Sequence, residues 1–227
     1  RGSSFGYSPP ADRLVEEAIK EMARLGAVIV DPAKIPHEGE YDQTEMEVLL
    51  YEFKADLNAY LATLPPAALA RTLKELIRFN DANRVREMPY FGQELFERAE
   101  AKGPLTEKAY RKALETNHKL SRREGLDMAL GKHKLDALVA PTGGPPWPID
   151  LVNGDHFLGA SSRPAAVSGY PSITVPTGYA FGLPVGITFI GRPWSEAVLI
   201  KLAYAFEQAT KHRRPPRFLP TADLSAT

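Results

Sequence analysis

Three serines, Ser161, Ser162 and Ser168, stand just before an apolar run that begins near Ser172. A serine hydroxyl can attack a carbonyl when a base activates it, so each is a candidate nucleophile for acyl transfer. A strained G-x-S-x-G elbow is one setting that exposes such a hydroxyl, and none of the three has it. Ser168, in A-V-S-G-Y, comes nearest, but Ala166 occupies the position two residues earlier. Small residues beside Gly169 instead suit close packing, so a structural role is expected for Ser168.

The five histidines, His37, His118, His133, His156 and His212, show no metal-ligand spacing with one another, and the chain has no cysteine. No metal and no cofactor are expected from this pattern. Asp155 and His156 could be read as an acid–base pair, but adjacent loop residues usually point apart, so a solvated turn is expected. Gly143-Gly144 could suggest a phosphate cradle. Pro145, Pro146 and Pro148 follow, however, and remove the amide donors that such a nest requires. A pocket-lining loop is the better expectation. It follows an apparent strand, where open α/β sheets bind ligands. Pro141, Thr142, Gly143 and Trp147 are therefore candidate substrate contacts, joined by Thr174 and Pro176 at the end of the next strand. Trp147 brings a large apolar surface that could pack into the core or face a substrate.

These residues need elements to hold them. Ser8 with Pro9 and Pro10 reads as a helix entry. Leu14, Val15, Ala18, Ile19, Met22 and Leu25 then mark one helix face up to Gly26, and Ala27–Val30 reads as a strand. Thr44 and Glu47 form a capping-box pattern before a helix that Pro65 and Pro66 end. Leu69 to Phe79 reads as a further helix, Asn80 to Gln93 as irregular, and Pro104 to about Gly131 as one long helix. Leu135–Ala140, Ser172–Val175 and Val185–Ile190 read as strands, with P-T-G-Y-A-F-G-L-P as a loop between the last two. Ser195–Thr210 closes the set as a helix, and the tail from Lys211 is expected along the surface. Alternating helices and single strands indicate an α/β fold with a mixed, mostly parallel sheet flanked by helices. Only about four strands stand against five or six helices. That shortage suggests strands supplied by sequence outside this chain or by a second copy, so a homo-oligomer is possible.

With 44% hydrophobic and 25% charged residues among 227, the composition suits one globular domain or most of a larger one. No apolar run approaches a membrane span and no signal peptide is visible, so no membrane partner and a cytoplasmic location are expected. Net charge is zero. Acids dominate from Asp12 to Asp56 and bases from Glu107 to Lys134, without interleaved aromatics. Solvated helix faces explain this better than a nucleic-acid stripe, and no nucleic-acid partner is expected.

The run G-Y-P-S-I-T-V-P-T-G from Gly169, followed by G-L-P-V-G-I-T-F-I-G-R from Gly182, resembles the C-terminal segment of the amidase signature family. These are serine hydrolases that cut carbon–nitrogen amide bonds. The resemblance is strong from Leu135 to Pro220 and looser from Ala11 to Pro36. The version S-G-Y-P-S-I-T-V-P is most like that of peptide-amidase-like members, although many members carry Asn where this chain has Ala166. The resemblance implies a Ser nucleophile, a second Ser in a cis peptide and a Lys base, with backbone amides stabilising the oxyanion. In the family these lie in a Gly/Ser-rich signature upstream of everything matched here. Neither G-G-S-S-G-G-S nor G-S-D-x-G-G-S occurs in this sequence.

Residues 1–227 are thus expected to be the C-terminal portion of an amidase domain, the catalytic N-terminal portion being absent, with no catalytic residue in this chain. The implied reaction is hydrolysis of carboxylic amides to acid and ammonia. The expected partners are a small-molecule or peptide amide substrate and the missing N-terminal half. The alternatives are a non-catalytic stand-alone domain for binding or association, and a self-contained hydrolase using Ser168 or His156.

Overall fold

The computed structural model describes residues 4–218 and Thr221. The tail expected along the surface therefore lies partly outside the described residues. The chain divides into two compact units, one formed by Arg1–Glu38 with Lys119–Thr227 and the other by Gly39–His118.

The first unit opens with α1 (Pro9–Arg24), entered through the extended Ser8 with prolines in its first turn. Proline lacks an N–H, and the first turn needs none there. Gly26 has a φ of 99° and ends the helix as expected. The apolar stretch that follows is a correction: Ala27–Val30 forms no ladder among the described residues and is not a strand here. Among the described residues no neighbouring strand supplies the backbone partners it would need.

The second unit is helical. It contains α2 (Asp42–Ala62), α3 (Leu73–Ala82), the short α4 (Arg84–Glu87), α5 (Glu94–Glu100) and α6 (Lys108–His118). Thr44 lies inside α2 rather than capping it. Its hydroxyl donates to the Tyr41 carbonyl, and Glu47 pairs with Lys102 at 2.7 Å, so the expected capping box does not form. Thr72, unremarked in the sequence, is the cap that does: its hydroxyl accepts from Glu75 N–H at 3.2 Å, which starts α3 four residues later than expected. Tyr51 and Tyr110 pack with ring centroids 5.6 Å apart and donate to Glu107 and Glu52.

Beyond α6 the helix does not stay α-helical as expected. Lys119–Leu126 is a π-helical stretch, and α7 (Asp127–Lys132) follows in the first unit. Gly125 permits the wider turn, because a Cβ there would lie 2.5 Å from the Leu120 carbonyl oxygen.

The sheet belongs to the first unit. It comprises β1 (Leu138–Pro141), β2 (Ser172–Ala180) and β3 (Leu183–Ile190), in the order β1-β3-β2, with α8 (Arg163–Ser168) between β1 and β2. The chain is α/β as expected, but the expected mostly parallel pairing is not found: both described pairings are antiparallel. The reason lies in P-T-G-Y-A, which continues β2 instead of forming a loop. The tight turn at Phe181-Gly182, with φ of 55° and 73°, sends β3 back beside it. Two successive residues with positive φ make the hairpin turn whose twist matches the strands.

One sheet face packs Ile187, Phe189, Ile173 and Val175 against Val15 and Ala18 of α1 and against Leu199 and Phe206 of α9 (Glu196–Thr210). On the other face, Leu138 and Ile190 meet Leu126, Leu130 and Ala165. Among the described residues, no helix is long and apolar enough to cross a membrane.

Candidate functional site

β1 and β2 run in the same direction on either side of the antiparallel β3. Their C-terminal stretches therefore reach the same end of the sheet even though neither pairs with the other. Thr142 extends the β1 ladder by donating its N–H to the Gly186 carbonyl at 2.9 Å. Opposite residues in an antiparallel ladder project to one face, so Ala140, Thr174 and Thr188 share a face, and Thr142 follows at the strand period.

The three threonines meet there. Thr188 Oγ1 lies 2.8 Å from Thr142 Oγ1 and 2.9 Å from Thr174 Oγ1. Thr188 is buried, Thr142 half-buried and Thr174 exposed, so the middle hydroxyl is the buried one and the line reaches the surface at Thr174. Gly186 makes room for it: a Cβ there would stand 2.7 Å from Thr142 Oγ1 and 2.8 Å from Thr174 Cγ2. Pro141 is fully buried beneath, and Pro176 lies beside the register shift of β2.

The loop after β1 is closed at its base. Gly143 bridges Ala160, and Ser161 N–H donates to the Thr142 carbonyl at 3.2 Å. The Tyr7 ring packs against Gly159, where a Cβ would approach Tyr7 Cδ1 to 2.7 Å. The Tyr7 hydroxyl reaches the Pro141 carbonyl at 3.5 Å. Burial, with the Asp12 carboxylate adding to it, pushes the Tyr7 phenol up to about 12.

Farther out, Trp147 lies across Phe157 with centroids 6.1 Å apart at 65° and donates its indole N–H to Asp155 at 2.7 Å. At the tip, the Asp150 carboxylate accepts from the N–H groups of Asn153 and Val152. These bonds, with that from the Asn153 side chain, hold its carboxyl below the usual range. The turn leaves Ile149 and Val152 each 91% exposed.

Of the sequence candidates, the structure brings Thr142 and Thr174 together through Thr188, with Pro141 and Gly143 framing them. Trp147 does not plug the core. It is 38% exposed, and its ring contact and indole hydrogen bond both stay within its own loop. The Asp155–His156 pair is not an acid–base couple in this arrangement, because Asp155 accepts from the Trp147 indole. Ser168 is fully buried. Its hydroxyl donates to the Ala165 carbonyl at 3.1 Å and accepts from Tyr170 N–H at 3.2 Å. That geometry closes α8 at Gly169, whose φ is 70°, and supplies no base.

Sequence reasoning missed Thr188 and Tyr7. The alternation of Thr174 and Thr188 across an antiparallel hairpin could have found the first, had P-T-G-Y-A been read as strand. Nothing in the sequence ties Tyr7 to a loop that begins more than a hundred residues later. The assembled groups can donate and accept hydrogen bonds and can shape an apolar wall.

The sequence profile of the Amidase family matches residues 2–200. A probable amidase of Arabidopsis thaliana is 36% identical over 226 residues, which is 96% of this chain but 40% of that protein. A crystal structure of a peptide amidase in complex with the competitive inhibitor chymostatin superposes with a TM-score of 0.85 at 49% identity. It covers 91% of this chain and 42% of its own. The native peptide amidase of Stenotrophomonas maltophilia gives a TM-score of 0.82 at 48% identity, over 91% of this chain and 41% of its own. The chain thus spans about two fifths of the length of these relatives.

Proposed function

The chain belongs to the amidase family, and from that premise we propose that it is the C-terminal portion of an enzyme hydrolysing carboxylic amides to acid and ammonia. The observation that carries this reading is the agreement of the β1-β3-β2 sheet and its helices with a peptide amidase at a TM-score of 0.85 and 49% identity.

In this reading the Ser–cis-Ser–Lys set lies upstream of the residues described. The seryl oxygen attacks the amide carbonyl while the lysine takes its proton through the bridging serine. Backbone N–H groups hold the developing oxyanion, and the ammonia leaves with a proton returned along the same path, giving an acyl-serine ester; water, deprotonated by the same route, then attacks that ester, releasing the acid and regenerating the serine. This chain's own part is positioning. Thr142, Gly143 and Thr174 form a polar wall backed by Thr188, Pro141 and Pro176 brace it, and the Trp147 loop offers an apolar surface to the substrate's side chains. A wall built on a hydrogen-bonded sheet is preformed, so it costs little ordering when a substrate arrives. Proline-rich backbone in the loop adds to that rigidity.

The test is ammonia release from linear and peptide amides. The protein encoded together with its upstream reading frame should turn over such amides, and this chain alone should not. Turnover by this chain alone that vanishes in Ser168→Ala would overturn the reading. A longer protein that folds but releases no ammonia would favour a non-catalytic binding domain.

A further inference from the structure

Of the five asparagines in the chain, Asn153 alone is followed by glycine. Both residues are exposed, at the tip of the loop closed by Gly143 and Ala160. An asparagine side chain and the backbone nitrogen after it can close a five-membered ring, and glycine hinders that approach least because it has no Cβ. There is room for the ring here. Apart from its chain neighbours, no atom lies within 4 Å of where a Gly154 Cβ would stand. The turn nonetheless holds both reacting groups elsewhere. Gly154 N–H, the nitrogen that would attack, donates to the Asp150 carbonyl at 3.1 Å. Asn153 Nδ2, the nitrogen that would leave, donates to Asp150 Oδ2 at 2.8 Å. Asp150 Oδ1 takes the backbone N–H groups of Val152 and Asn153 at 2.9 and 2.8 Å. Asp150 thus occupies every one of these donors, most of them through its charged carboxylate. The ring can close only after its carbonyl and its carboxylate both let go.

We propose that Asn153–Gly154 is a site of spontaneous covalent modification through a succinimide, and that Asp150 is the latch that holds it unreacted. The chemistry belongs to this loop and does not depend on the amidase reading. Once the turn opens, the Gly154 nitrogen gives its proton to solvent base and attacks Asn153 Cγ. The new C–N bond closes the ring, the Cγ–Nδ2 bond breaks, and Nδ2 leaves as ammonia with a proton taken from water. Water then adds to one of the two ring carbonyls. Opening on one side gives aspartate, and on the other isoaspartate, in which the chain runs through Cγ. The observed rate is the ring-closure rate multiplied by the fraction of molecules with the turn open. Either product undoes the latch. A carboxylate at position 153 replaces the Nδ2 donor and stands against the Asp150 carboxylate, like charge against like. Isoaspartate also lengthens the backbone and displaces Gly154 N–H from the Asp150 carbonyl. The modification is therefore one-way, and it loosens the loop that carries Trp147 and Asp155.

The experiment incubates this chain in mildly alkaline buffer and follows the peptide containing Asn153 by mass spectrometry, for the ring and for the mass gain of an amide turned into an acid. The native chain is compared with the same chain unfolded in urea, with Asp150→Ala and with Asn153→Gln. Urea releases the latch without any substitution, and should speed the gain at Asn153 at least about tenfold over the native chain. Asp150→Ala changes an exposed residue and should recover most of that increase in the folded chain. Far-UV circular dichroism checks its fold, and the urea comparison stands by itself if that fold is lost. Asn153→Gln can close only a larger ring, which forms more slowly, and should remove the gain from this peptide. No gain at Asn153 in urea or in Asp150→Ala would overturn the site. A gain as fast in the native chain as in urea, or unchanged by Asp150→Ala in a folded chain, would overturn the latch. The readout is mass and not ammonia from added amides, so it is independent of the amidase reading.

Discussion

Thr142 Oγ1 and Thr188 Oγ1 stand 2.8 Å apart and tie the end of β1 to the middle of the sheet. Each hydroxyl owns one proton. The chain Thr142–Thr188–Thr174 makes two bonds, so one proton is left over, on Thr142, Thr188 or Thr174 according to how the hydroxyls rotate. At the Thr174 end the cluster can therefore meet its surroundings as donor or acceptor, depending on which way the three hydroxyls rotate. In the proposed reading, this cluster would meet an amide, which carries both a donor and an acceptor.

The first prediction concerns the middle member. Thr188→Val keeps the shape and removes both bonds, leaving a partly buried Thr142 hydroxyl without its partner. The expected cost is about 1–2 kcal/mol. Thr174→Val, at an exposed position, should change stability by less than about 0.5 kcal/mol. Urea unfolding midpoints of the two variants measure the difference, and equal midpoints would show that the cluster does not hold the strands.

A second prediction separates structure from chemistry at Ser168. Ser168→Ala loses its bonds to Ala165 and Tyr170 and should cost about 1 kcal/mol. In the longer protein it should leave turnover per folded molecule unchanged. Turnover lost while the fold and melting temperature persist would make Ser168 a nucleophile after all.

The α/β class and the positions of α1, α9, β1 and the cores of β2 and β3 were legible because apolar periodicity and Gly/Pro punctuation are local signals. Strand direction was not. Gly178 and Pro176 read as breakers, yet β2 absorbs them with a register shift, which only the neighbouring strand can specify. Ala27–Val30 failed for the opposite reason. Its composition suits a strand, but a strand exists only where another pairs with it. The convergence of Thr142 with Thr174 was anticipated on a wrong premise, a parallel ladder. It holds because β1 and β2 are parallel to each other across β3. The π-helical stretch was illegible because Gly125 reads as a small helix residue until the Leu120 carbonyl is placed beside it.

A third prediction follows from the tyrosines. Tyr7, Tyr51 and Tyr110 are each pushed up to about 12 from an ordinary 10.0. Burial is the main cause at Tyr7. At Tyr51 and Tyr110 it is the hydrogen-bonded carboxylates of Glu107 and Glu52. Between these two values the unfolded chain has lost phenolic protons that the folded chain keeps, so stability falls as pH rises. Below the ordinary value both states are protonated and these groups contribute no slope. Denaturant midpoints followed up the alkaline range should bend downward from about pH 10. Replacing the three tyrosines by phenylalanine should flatten that limb, and a limb equally steep in the triple variant would exclude them as its source.

The last prediction concerns Trp147, whose indole bonds Asp155 at 2.7 Å and whose ring lies across Phe157. Its contacts stay within a loop closed at Gly143 and Ala160, and the side chain is 38% exposed. Removing it should therefore leave the sheet standing. Trp147→Ala in the longer protein is expected to shift the melting temperature little. It should change relative kcat/KM between amides with bulky and with small apolar side chains by about tenfold, the scale on which an apolar wall discriminates. Asp155→Asn keeps a carbonyl acceptor for the indole and should give a smaller change in the same direction. If the loop only caps the sheet, Trp147→Ala will lower stability and scale all rates together. Loss of stability with unchanged relative rates would remove Trp147 from the substrate wall and leave Thr142, Gly143 and Thr174 as its members.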